Sequence, residues 1–462
     1  MRPHPRSRRR RTSVVATTAA GTLLVSLTLT TGTAAGETGA PEADAPETEA
    51  AGDVAEVEAQ LAEAGHDVDL EDADSSYDIL EQLEQPEADS PEAQNEFYVP
   101  PEPLPEGEPG DVIRAEPYEA KVDPLGIGTF PADTWRVMYL STDALGEPMA
   151  VTGTVMVPEA EWEGEGERPL VSYAIGTHGL GSHCAPSVGL EQGLDYEAAF
   201  MKEVVDDGNA LVVPDYEGLG TPDEHTYMVG HSQGAAVLDS LRAATNLDEA
   251  ELDAESPMGV TGFSQGGGAA VWAGQMQPEY APDLPLEGVA AGGVPADLDR
   301  VAENIDGSLY FTFLAFAAYG YNAAYPELPL EEHLNARGEF LFEKVADGCM
   351  IDTLPLGLGK SMDDLLDVDL IGTPEWQARL EENKPGETVP EAPMYLYHSS
   401  GDDIIPIDQA EEMTETYCEA GATLEWHETR SGPHITSFLL DSGDARDWLG
   451  ERMAGAEPES DC

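Results

Sequence analysis

The pentapeptide Gly262–Gly266, which reads G-F-S-Q-G, contains residues whose types and spacing suit nucleophilic catalysis. It matches the pattern G-x-S-x-G, in which a serine occupies a strained strand-to-helix turn and exposes its hydroxyl above the edge of a sheet. The flanking residues must be small, because larger side chains would collide in so tight a turn. A serine held in this way can attack an acyl carbon and form a covalent intermediate. Ser264 is therefore the predicted nucleophile.

The segments on either side of Ser264 provide the strand and the helix that this turn requires. Met258–Thr261 is an apolar run of strand length, and Gly267–Gln275 is rich in glycine and alanine, which favours close helix packing. A second copy of the pattern, Gly230–Gly234, follows a polar stretch rather than a buried strand. We therefore interpret Ser232 of the second copy as the N-cap of a helix and assign the chemistry to Ser264.

A nucleophilic serine needs a base, and the base needs an acid that orients it. In proteins with this turn, the acid and then the histidine follow the serine along the chain. Four histidines lie downstream of the serine: His333, His398, His427 and His434. His398 and His427 lie in strand patterns, and His333 lies in the interval 296–392, which does not follow the alternation of strands and helices. His434 follows the last predicted strand in a turn, and it is the predicted general base.

The orienting acid is expected in the loop after the preceding strand, Met394–Tyr397. That loop reads H-S-S-G-D-D-I-I-P and carries two adjacent carboxylates, Asp402 and Asp403. We predict Asp402 at the tip of the loop as the orienting acid, with Asp403 as the alternative.

Cleavage of an ester also passes through an oxyanion, which preorganised N–H donors stabilise. One donor is expected from the backbone of Gln265, the residue after the serine, and another from the loop after an earlier strand. The loop Gly176–Gly181 is rich in glycine, which lets the backbone approach a substrate closely. The backbone N–H of His178 is the predicted second donor, with those of Thr177 and Gly179 as alternatives.

Strand-length apolar runs alternate with segments of helical period from Phe97 onward. Predicted strands lie at Pro169–Ile175, Ala210–Pro214, Met258–Thr261, Val289–Val294, Met394–Tyr397 and Thr423–Glu428. Predicted helices lie at Tyr196–Val205, Ala235–Ala244, Gly267–Gln275, Gln409–Ala420 and Ala445–Met453. This alternation predicts an α/β fold with a mostly parallel sheet and helices on both faces.

The interval 296–392 breaks this alternation and is too long for a loop. We predict that it forms an inserted helical cap. Several of its apolar residues are candidates to line a substrate pocket: Tyr310, Phe311, Phe313, Leu314 and Phe316.

The first 96 residues differ in composition from the rest of the chain. Residues 1–35 carry six arginines and no acidic residue, followed by an apolar stretch and then small residues. This order is typical of a secretory signal peptide, and the apolar stretch is too short for a comfortable membrane span. Residues 36–96 are acidic and rich in alanine and proline, which predicts a disordered spacer or pro-segment with two short helices near residues 54–64 and 77–83.

The whole chain carries 21 basic and 91 acidic residues, for a formal net charge of −70. Such a charge argues against partners that attract basic patches, namely nucleic acids and anionic membrane surfaces. We expect no integral membrane association once the signal peptide is removed. An acidic surface also predicts that stability and activity rise with salt, because salt screens the self-repulsion.

Four cysteines in a secreted chain predict two disulfides, for which three connectivities exist. We favour Cys184–Cys349 and Cys418–Cys462, the second of which would tie the C-terminus to the helix before the last strand. The cysteines lack the C-x-x-C spacing of zinc sites, so we expect no metal and no cofactor.

These residues resemble the secretory lipase family of fungi and actinobacteria. The resemblance spans about Phe97 to Cys462 and rests on a series of short motifs: Phe97-Tyr98, the proline-rich stretch to Pro109-Gly110, Ile113-Arg114, Gly176-Thr177, Cys184–Ser187, Asp215–Gly220, Val237–Asp239, Arg242–Ala244, Gly262–Gly268, Tyr280–Pro282 and the terminal Cys462. The resemblance implies an α/β-hydrolase core, a helical cap over an acyl-chain pocket, no metal, and esterase or lipase activity.

The resemblance also implies the roles given above to Ser264, Asp402 and His434, and it agrees with the favoured disulfide pairing. The acidic spacer and the second G-x-S-x-G copy depart from the family pattern. The chain is thus predicted to be a secreted serine carboxylester hydrolase that cleaves acylglycerol esters. The alternatives are an esterase or acyltransferase for short-chain or natural-product esters, and a catalytically silent binding protein on the same fold.

Overall fold

The computed structural model describes residues 54–63, 68–70, 75–82, 95–126 and 128–462. These residues all belong to one of two compact units of the chain, residues 50–462. The predicted signal peptide, residues 1–35, lies outside the described residues.

One sheet of nine strands organises the described part of the chain. The strands are β1 (Val112–Pro117), β2 (Ala132–Thr142), β3 (Pro148–Pro158), β4 (Leu170–Ala174), β5 (Ala210–Pro214), β6 (Met258–Phe263), β7 (Leu286–Gly292), β8 (Met394–Ser399) and β9 (Leu424–Thr429). Their spatial order is β1-β2-β3-β5-β4-β6-β7-β8-β9. Neighbours from β1 to β5 along this order pair antiparallel, and those from β5 to β9 pair parallel.

Fourteen α-helices occur in the described residues. They are α1 (Val54–Glu63), α2 (Ser76–Gln82), α3 (Pro186–Gln192), α4 (Ala198–Asp206), α5 (Gly230–Asn246), α6 (Gln265–Tyr280), α7 (Leu298–Ile305), α8 (Phe311–Ala324), α9 (Ala336–Val345), α10 (Met350–Thr353), α11 (Met362–Leu365), α12 (Pro374–Glu382), α13 (Ile407–Ala420) and α14 (His434–Met453). Short 3₁₀ helices lie at Glu96–Tyr98, Ser182–Cys184, Asp248–Ala250, Glu331–His333 and Leu354–Leu356.

The centre of the sheet is buried on both faces, as parallel strands require. Every residue of β4 and β5 is buried. Helices α5, α6 and α14 pack against the strands that carry the predicted nucleophile and its neighbours. The predicted α/β fold with a mostly parallel sheet is therefore confirmed.

The segment between β7 and β8, which we call the cap, is helical. Helices α7 to α12 lie between β7 and β8, and all of them except α10 contribute to a second apolar core that includes Phe311, Phe316, Tyr321 and Trp376. The two favoured disulfides, Cys184–Cys349 and Cys418–Cys462, are confirmed. The first disulfide joins the cap to the loop region after β4.

The structure differs from the expected disorder in the acidic segment. Helices α1 and α2 lie within residues 36–96, close to the two short helices that the sequence predicts, and both pack on α14. Four of their apolar residues are buried: Val57, Leu61, Ile79 and Leu80. These side chains join the main apolar core of the described chain, and this burial favours the ordering of the two helices.

Two further differences concern element boundaries. The antiparallel strands β1 to β3 were not predicted, and α14 begins at His434 rather than near Ala445. Among the described helices, none combines the length and the apolar character needed to cross a bilayer.

Candidate active site

Ser264 occupies the turn between β6 and α6, in the strand-to-helix arrangement that its motif predicts. Its backbone has φ 59° and ψ −120°, a conformation that costs a non-glycine residue about 1–3 kcal/mol. Two backbone hydrogen bonds hold the turn: Ser264 N–H donates to Gly292 O at 2.9 Å, and Gly268 N–H donates to Ser264 O at 2.9 Å. The surrounding backbone thus keeps the serine in a strained position.

The glycines of the motif are required by close packing of backbone on backbone. A Cβ atom at Gly266 would lie 1.9 Å from Ala174 O, and one at Gly262 would lie 2.4 Å from Gly266 O. Real Cβ atoms do not approach so closely, so the turn excludes larger residues at both positions.

His434 and Asp402 form a buried pair. His434 Nδ1 lies 2.6 Å from Asp402 Oδ2, and each side chain is 1% exposed. Because a carboxylate only accepts, Nδ1–H donates and the lone pair of a neutral imidazole remains on Nε2. That Nε2 atom is buried and has no hydrogen-bond partner within the described chain. The structure therefore brings the predicted base and acid together, with His434 in the first turn of α14.

Asp402 is held by donors on both of its oxygens. Oδ1 accepts from the backbone N–H groups of Ile404 (2.9 Å) and Ile405 (2.7 Å), and His398 Nε2 lies 3.2 Å from Oδ2. Burial alone would raise the pKa of the Asp402 carboxyl, but His434 and His398 beside it lower that pKa well below its ordinary value. Asp402 is thus an ionised carboxylate in a fixed orientation.

The alternative acid, Asp403, points elsewhere. Its Oδ1 accepts from the backbone N–H of His434 at 3.1 Å and not from the imidazole. Its other partners are Ser76 of α2 and the hydroxyl of Tyr310 in the cap. Of the two adjacent carboxylates, only Asp402 contacts the His434 ring.

Ser264 and His434 line the same cavity. No hydrogen bond joins the two side chains in the described structure, as is common before a substrate binds. Apolar side chains from the cap, from the loop before α5, from the loops around the pair and from α2 form most of the wall: Leu298, Val301, Ala302, Ile305, Phe313, Leu314, Ala317, Tyr227, Met228, Ile404, Ile405, Ile435, Phe438 and Leu80.

Only some of the cap residues that were predicted to line the pocket do so. Phe313 and Leu314 line the cavity, whereas Tyr310, Phe311 and Phe316 do not and are buried in the cap core. Phe313, Leu314 and Ala317 lie on one side of α8, and the other side of the helix packs in the core of the cap.

Residues of the predicted oxyanion loop line two different cavities. Gly176, Thr177 and Gln265 line the cavity beside Ser264, whereas His178 lines a second cavity. The backbone N–H groups of Thr177, His178 and Gln265 donate to no acceptor in the described part of the chain. Of these three residues, only Thr177 and Gln265 line the cavity that contains Ser264.

The side chain of His178 holds the backbone of this loop. His178 Nδ1 lies 3.1 Å from Gly176 O, and its Nε2 lies 3.1 Å from Asp195 Oδ2. In a trans peptide the C=O and the following N–H point in opposite directions. Because His178 holds the Gly176 carbonyl, the N–H of Thr177 points away from it.

Buried charges fix this loop further. Burial would lower the pKa of the His178 imidazole, but the Asp195 and Glu197 carboxylates raise it to about 9. Glu197 Oε1 accepts from Gly176 N–H at 2.8 Å, and burial raises the pKa of this carboxyl. Both polar groups of Gly176 are therefore bound by side chains. The D-Y-E sequence at residues 195–197 carries no motif that would have revealed this role.

The cap holds the other side of the same loop. Met350 N–H donates to His178 O at 2.8 Å, and Leu180 N–H donates to Gly348 O at 3.1 Å. The Cys184–Cys349 disulfide closes this contact covalently. Cap and oxyanion loop thus form one structural unit.

Ser232, in the second G-x-S-x-G copy, has a different environment. It is the third residue of α5 and not its N-cap, which is Val229. Its side chain is fully buried, and its hydroxyl donates to Glu217 Oε2. The structure places no histidine base on this hydroxyl among the described residues.

His398 is a functional candidate that sequence reasoning set aside. It lies at the end of β8, fully buried, and its Nε2 also lies 2.9 Å from Ile405 O. Its spacing of four residues before Asp402 was visible in the sequence. Without the loop geometry, that spacing could not be told apart from a histidine buried in the sheet.

Known proteins of similar sequence are lipases or are named after them. The family model for secretory lipases matches residues 189–461, which include Ser264, Asp402 and His434. A probable inactive lipase of Mycobacterium tuberculosis is 29% identical over 375 residues, covering 78% of this chain and 82% of its own length. Lipase 6 of Candida albicans is 27% identical over 409 residues, covering 80% of this chain and 84% of its own.

The fold is also that of a solved lipase structure. Candida antarctica lipase A in its closed state superposes with a TM-score of 0.72 at 22% identity, covering 81% of this chain and 88% of that protein. At this identity the likeness establishes the α/β-hydrolase fold. Together with the family match over more than half of the chain, it leads to one conclusion: this protein is a carboxylic ester hydrolase that belongs to the secretory lipase family.

Proposed function

We propose that the protein is a secreted serine lipase that cleaves acylglycerol esters through an acyl-enzyme intermediate. The observation that carries this proposal is the buried His434–Asp402 pair, at 2.6 Å, which shares an apolar cavity with the strained Ser264. The two disulfides fit an oxidising compartment, and residues 1–35 have the composition of an export signal.

The chemistry begins with proton transfer from Ser264 Oγ to His434 Nε2 while Oγ bonds to the ester carbonyl carbon. Asp402 keeps the imidazole in the required tautomer and stabilises the imidazolium. The carbonyl oxygen becomes an oxyanion, which the N–H groups of Thr177 and Gln265 stabilise. His434 then protonates the departing alcohol as the C–O bond of the ester breaks.

The second half of the reaction clears the acyl group. Water enters the site, gives a proton to His434 Nε2, and its oxygen bonds to the acyl carbon. The second tetrahedral intermediate collapses by breaking the bond to Ser264 Oγ, which takes back the proton. The products are a carboxylic acid and the free enzyme.

The cavity supports a substrate with a hydrocarbon chain. Its wall is mostly aliphatic and aromatic, and its polar residues are few: Ser264, His434, Thr177, Glu197, Gln265 and the tyrosines Tyr196 and Tyr227. Ligand sites of this kind bind an apolar body and orient it through a few polar contacts. A long acyl group bound along this wall would place its carbonyl at the serine.

A catalytically silent protein is the second candidate, because one relative is named a probable inactive lipase. Against this candidate, the chain retains a strained serine, a base with a free Nε2 and an ionised orienting acid. A protein that only bound lipids would have no use for the strain at Ser264.

Hydrolysis of p-nitrophenyl esters from acetate to palmitate tests the proposal. The wild type should cleave the series and prefer the longer esters, and Ser264→Ala should lose about 10⁶ in turnover. Ser232→Ala is the matched control and should keep its turnover. Full activity in Ser264→Ala would overturn the mechanism, and an inactive wild type would favour the silent candidate.

A further inference from the structure

Helix α2 carries a residue into the proposed acyl cavity from a part of the chain that the family model does not match. Leu80 lines the cavity and is 2% exposed, and the neighbouring Ile79 is fully buried without lining it. The family match begins at residue 189, more than a hundred residues after α2. This part of the cavity wall therefore comes from outside the matched residues, as Gly176 and Thr177 also do.

Hydrogen bonds hold α2 in place through its first residue. The hydroxyl of Ser76 donates to Asp403 Oδ1 at 2.6 Å, and its backbone N–H donates to Asp403 Oδ2 at 3.0 Å. The N–H of Ile435 in α14 donates to Ser76 Oγ at 3.1 Å. Ser76 is fully buried, so solvent does not compete for these bonds.

Asp403 connects this anchor to both sides of the cavity. The same carboxylate accepts from the backbone N–H of His434 and from the hydroxyl of Tyr310, which in turn accepts from Tyr77 N–H at 3.3 Å. It therefore joins α2, the cap and the start of α14. Asp403 directly follows the orienting acid, so the position of α2 is set by the same loop that sets the triad.

We propose that α2 is part of the acyl-binding wall and that Leu80 determines which acyl groups the site accepts. The proposal rests on the proposed function, because it concerns the substrate of the same site. Leu80 occupies space that a longer or bulkier acyl group would fill. A change in one small apolar group in such a pocket alters discrimination by about 10–200-fold.

Substitutions of Leu80 in the full chain test this role. Leu80→Ala should raise the ratio of kcat/KM for palmitate to that for acetate esters by about tenfold, and Leu80→Trp should lower it by a similar factor. Ile79→Ala is the matched control, since it removes a buried neighbour on the same helix that does not line the cavity. Its ratio should equal that of the wild type.

Ser76→Ala tests the anchor. It removes the hydroxyl that bridges Asp403 and Ile435, so α2 should leave the wall more readily. The ester ratio should shift in the same direction as in Leu80→Ala. Thermal unfolding of each variant shows whether the variant protein is folded.

The outcomes separate this proposal from the proposed function. Ratios equal to the wild type in both Leu80 variants, or an equal shift in Ile79→Ala and Leu80→Ala, would overturn the role of Leu80 while ester hydrolysis stands. If the wild type cleaves no ester, calorimetric binding of dodecanoate takes the place of turnover. If Leu80→Trp binds dodecanoate about tenfold more weakly and Ile79→Ala binds it as the wild type does, the role of Leu80 in the wall is supported. Unchanged binding in Leu80→Trp would overturn that role.

Discussion

The chain contains two G-x-S-x-G pentapeptides, and they lie in different structures. Ser264 joins β6 to α6 with φ 59°, whereas Ser232 lies inside the first turn of α5, which a loop precedes. The strand in front of the pentapeptide makes the difference. A chain that leaves a buried strand and enters a helix at once must turn sharply, and that turn lifts the serine above the sheet edge.

The surroundings of the two serines differ as much as their backbones. Ser264 shares a cavity with an imidazole whose Nε2 is free, while the hydroxyl of Ser232 donates to a buried carboxylate, Glu217. A hydroxyl that already donates to a carboxylate has a structural task. The same five-residue pattern therefore serves chemistry in one place and packing in the other.

The largest effect that would sharpen this contrast, after loss of the nucleophile itself, concerns the acid. Asp402→Asn should lower kcat by about 10⁴, because the amide favours the wrong tautomer of His434. Asp403→Asn should keep most of the turnover, since Asp403 contacts His434 only at its backbone N–H and does not contact the imidazole. Steady-state kinetics on one p-nitrophenyl ester measures both. Equal losses in the two variants would contradict the assignment of the acid.

Much of this site could be predicted from the sequence, because its parts are marked locally. The serine lies in a short pattern, and Asp402 and His434 follow in a fixed order after recognisable strands. The orientation of the oxyanion loop could not be predicted in the same way. It depends on the contact of His178 with Asp195, which no motif marks.

The fold shows the same division. Most of the parallel strands were predicted because they contain short apolar runs. Strands β1 to β3 mix polar with apolar residues, and β2 and β3 are 11 residues long. The docking of α2 depends on Ser76 and Asp403, which are 327 positions apart. The composition of residues 36–96 predicted disorder, because composition does not show the surface against which a short helix can pack.

A second contrast separates the glycines of the two pentapeptides. Gly266→Ala should lower kcat/KM by about 10²–10³, because its Cβ would press on Ala174 O and displace the Gln265 N–H. Gly234→Ala should lower kcat/KM less, since its Cβ would lie 2.8 Å from Met276 Sδ and 3.0 Å from the Trp272 backbone, whereas that of Gly266 would lie 1.9 Å from Ala174 O. Gly268→Ala is a control in the same helix as Gly266, with its nearest contact at 3.6 Å. Activity retained in Gly266→Ala would contradict the tight turn.

The oxyanion loop predicts a pH dependence that the second pentapeptide lacks. The pKa of His178 in the folded protein is about 9, above its ordinary value near 6.5, so the charged pair with Asp195 stabilises the loop below about pH 6.5. This stabilisation is lost as the pH rises through about 9. Turnover should then fall by about tenfold per pH unit, provided that the charged form is required.

The control for this pH profile is Asp195→Asn, in which the carboxylate that raises the pKa of His178 is gone. Its alkaline decline should begin at a lower pH than in the wild type. Thermal unfolding over the same pH range should show stability falling in parallel for the wild type. An alkaline limit identical in both proteins would contradict the role of the His178–Asp195 pair.

The smallest effect concerns Ser232, and it tests whether the second pentapeptide has any function. Ser232→Ala leaves Glu217 buried with one donor fewer, although Thr226 still donates to it. The free energy of unfolding should fall by about 1–3 kcal/mol, as expected for a buried acceptor that loses a partner.

The same substitution should also change the pKa of Glu217. Burial raises this pKa and the hydroxyl of Ser232 lowers it, so the pKa should rise further when the hydroxyl is removed. Urea unfolding at neutral pH measures the free energy of unfolding. A double-mutant cycle of Ser232→Ala and Glu217→Gln measures the interaction energy between the two side chains. A coupling of zero, with turnover intact, would mean that the hydrogen bond contributes nothing to stability, and the retained pentapeptide would then need another explanation.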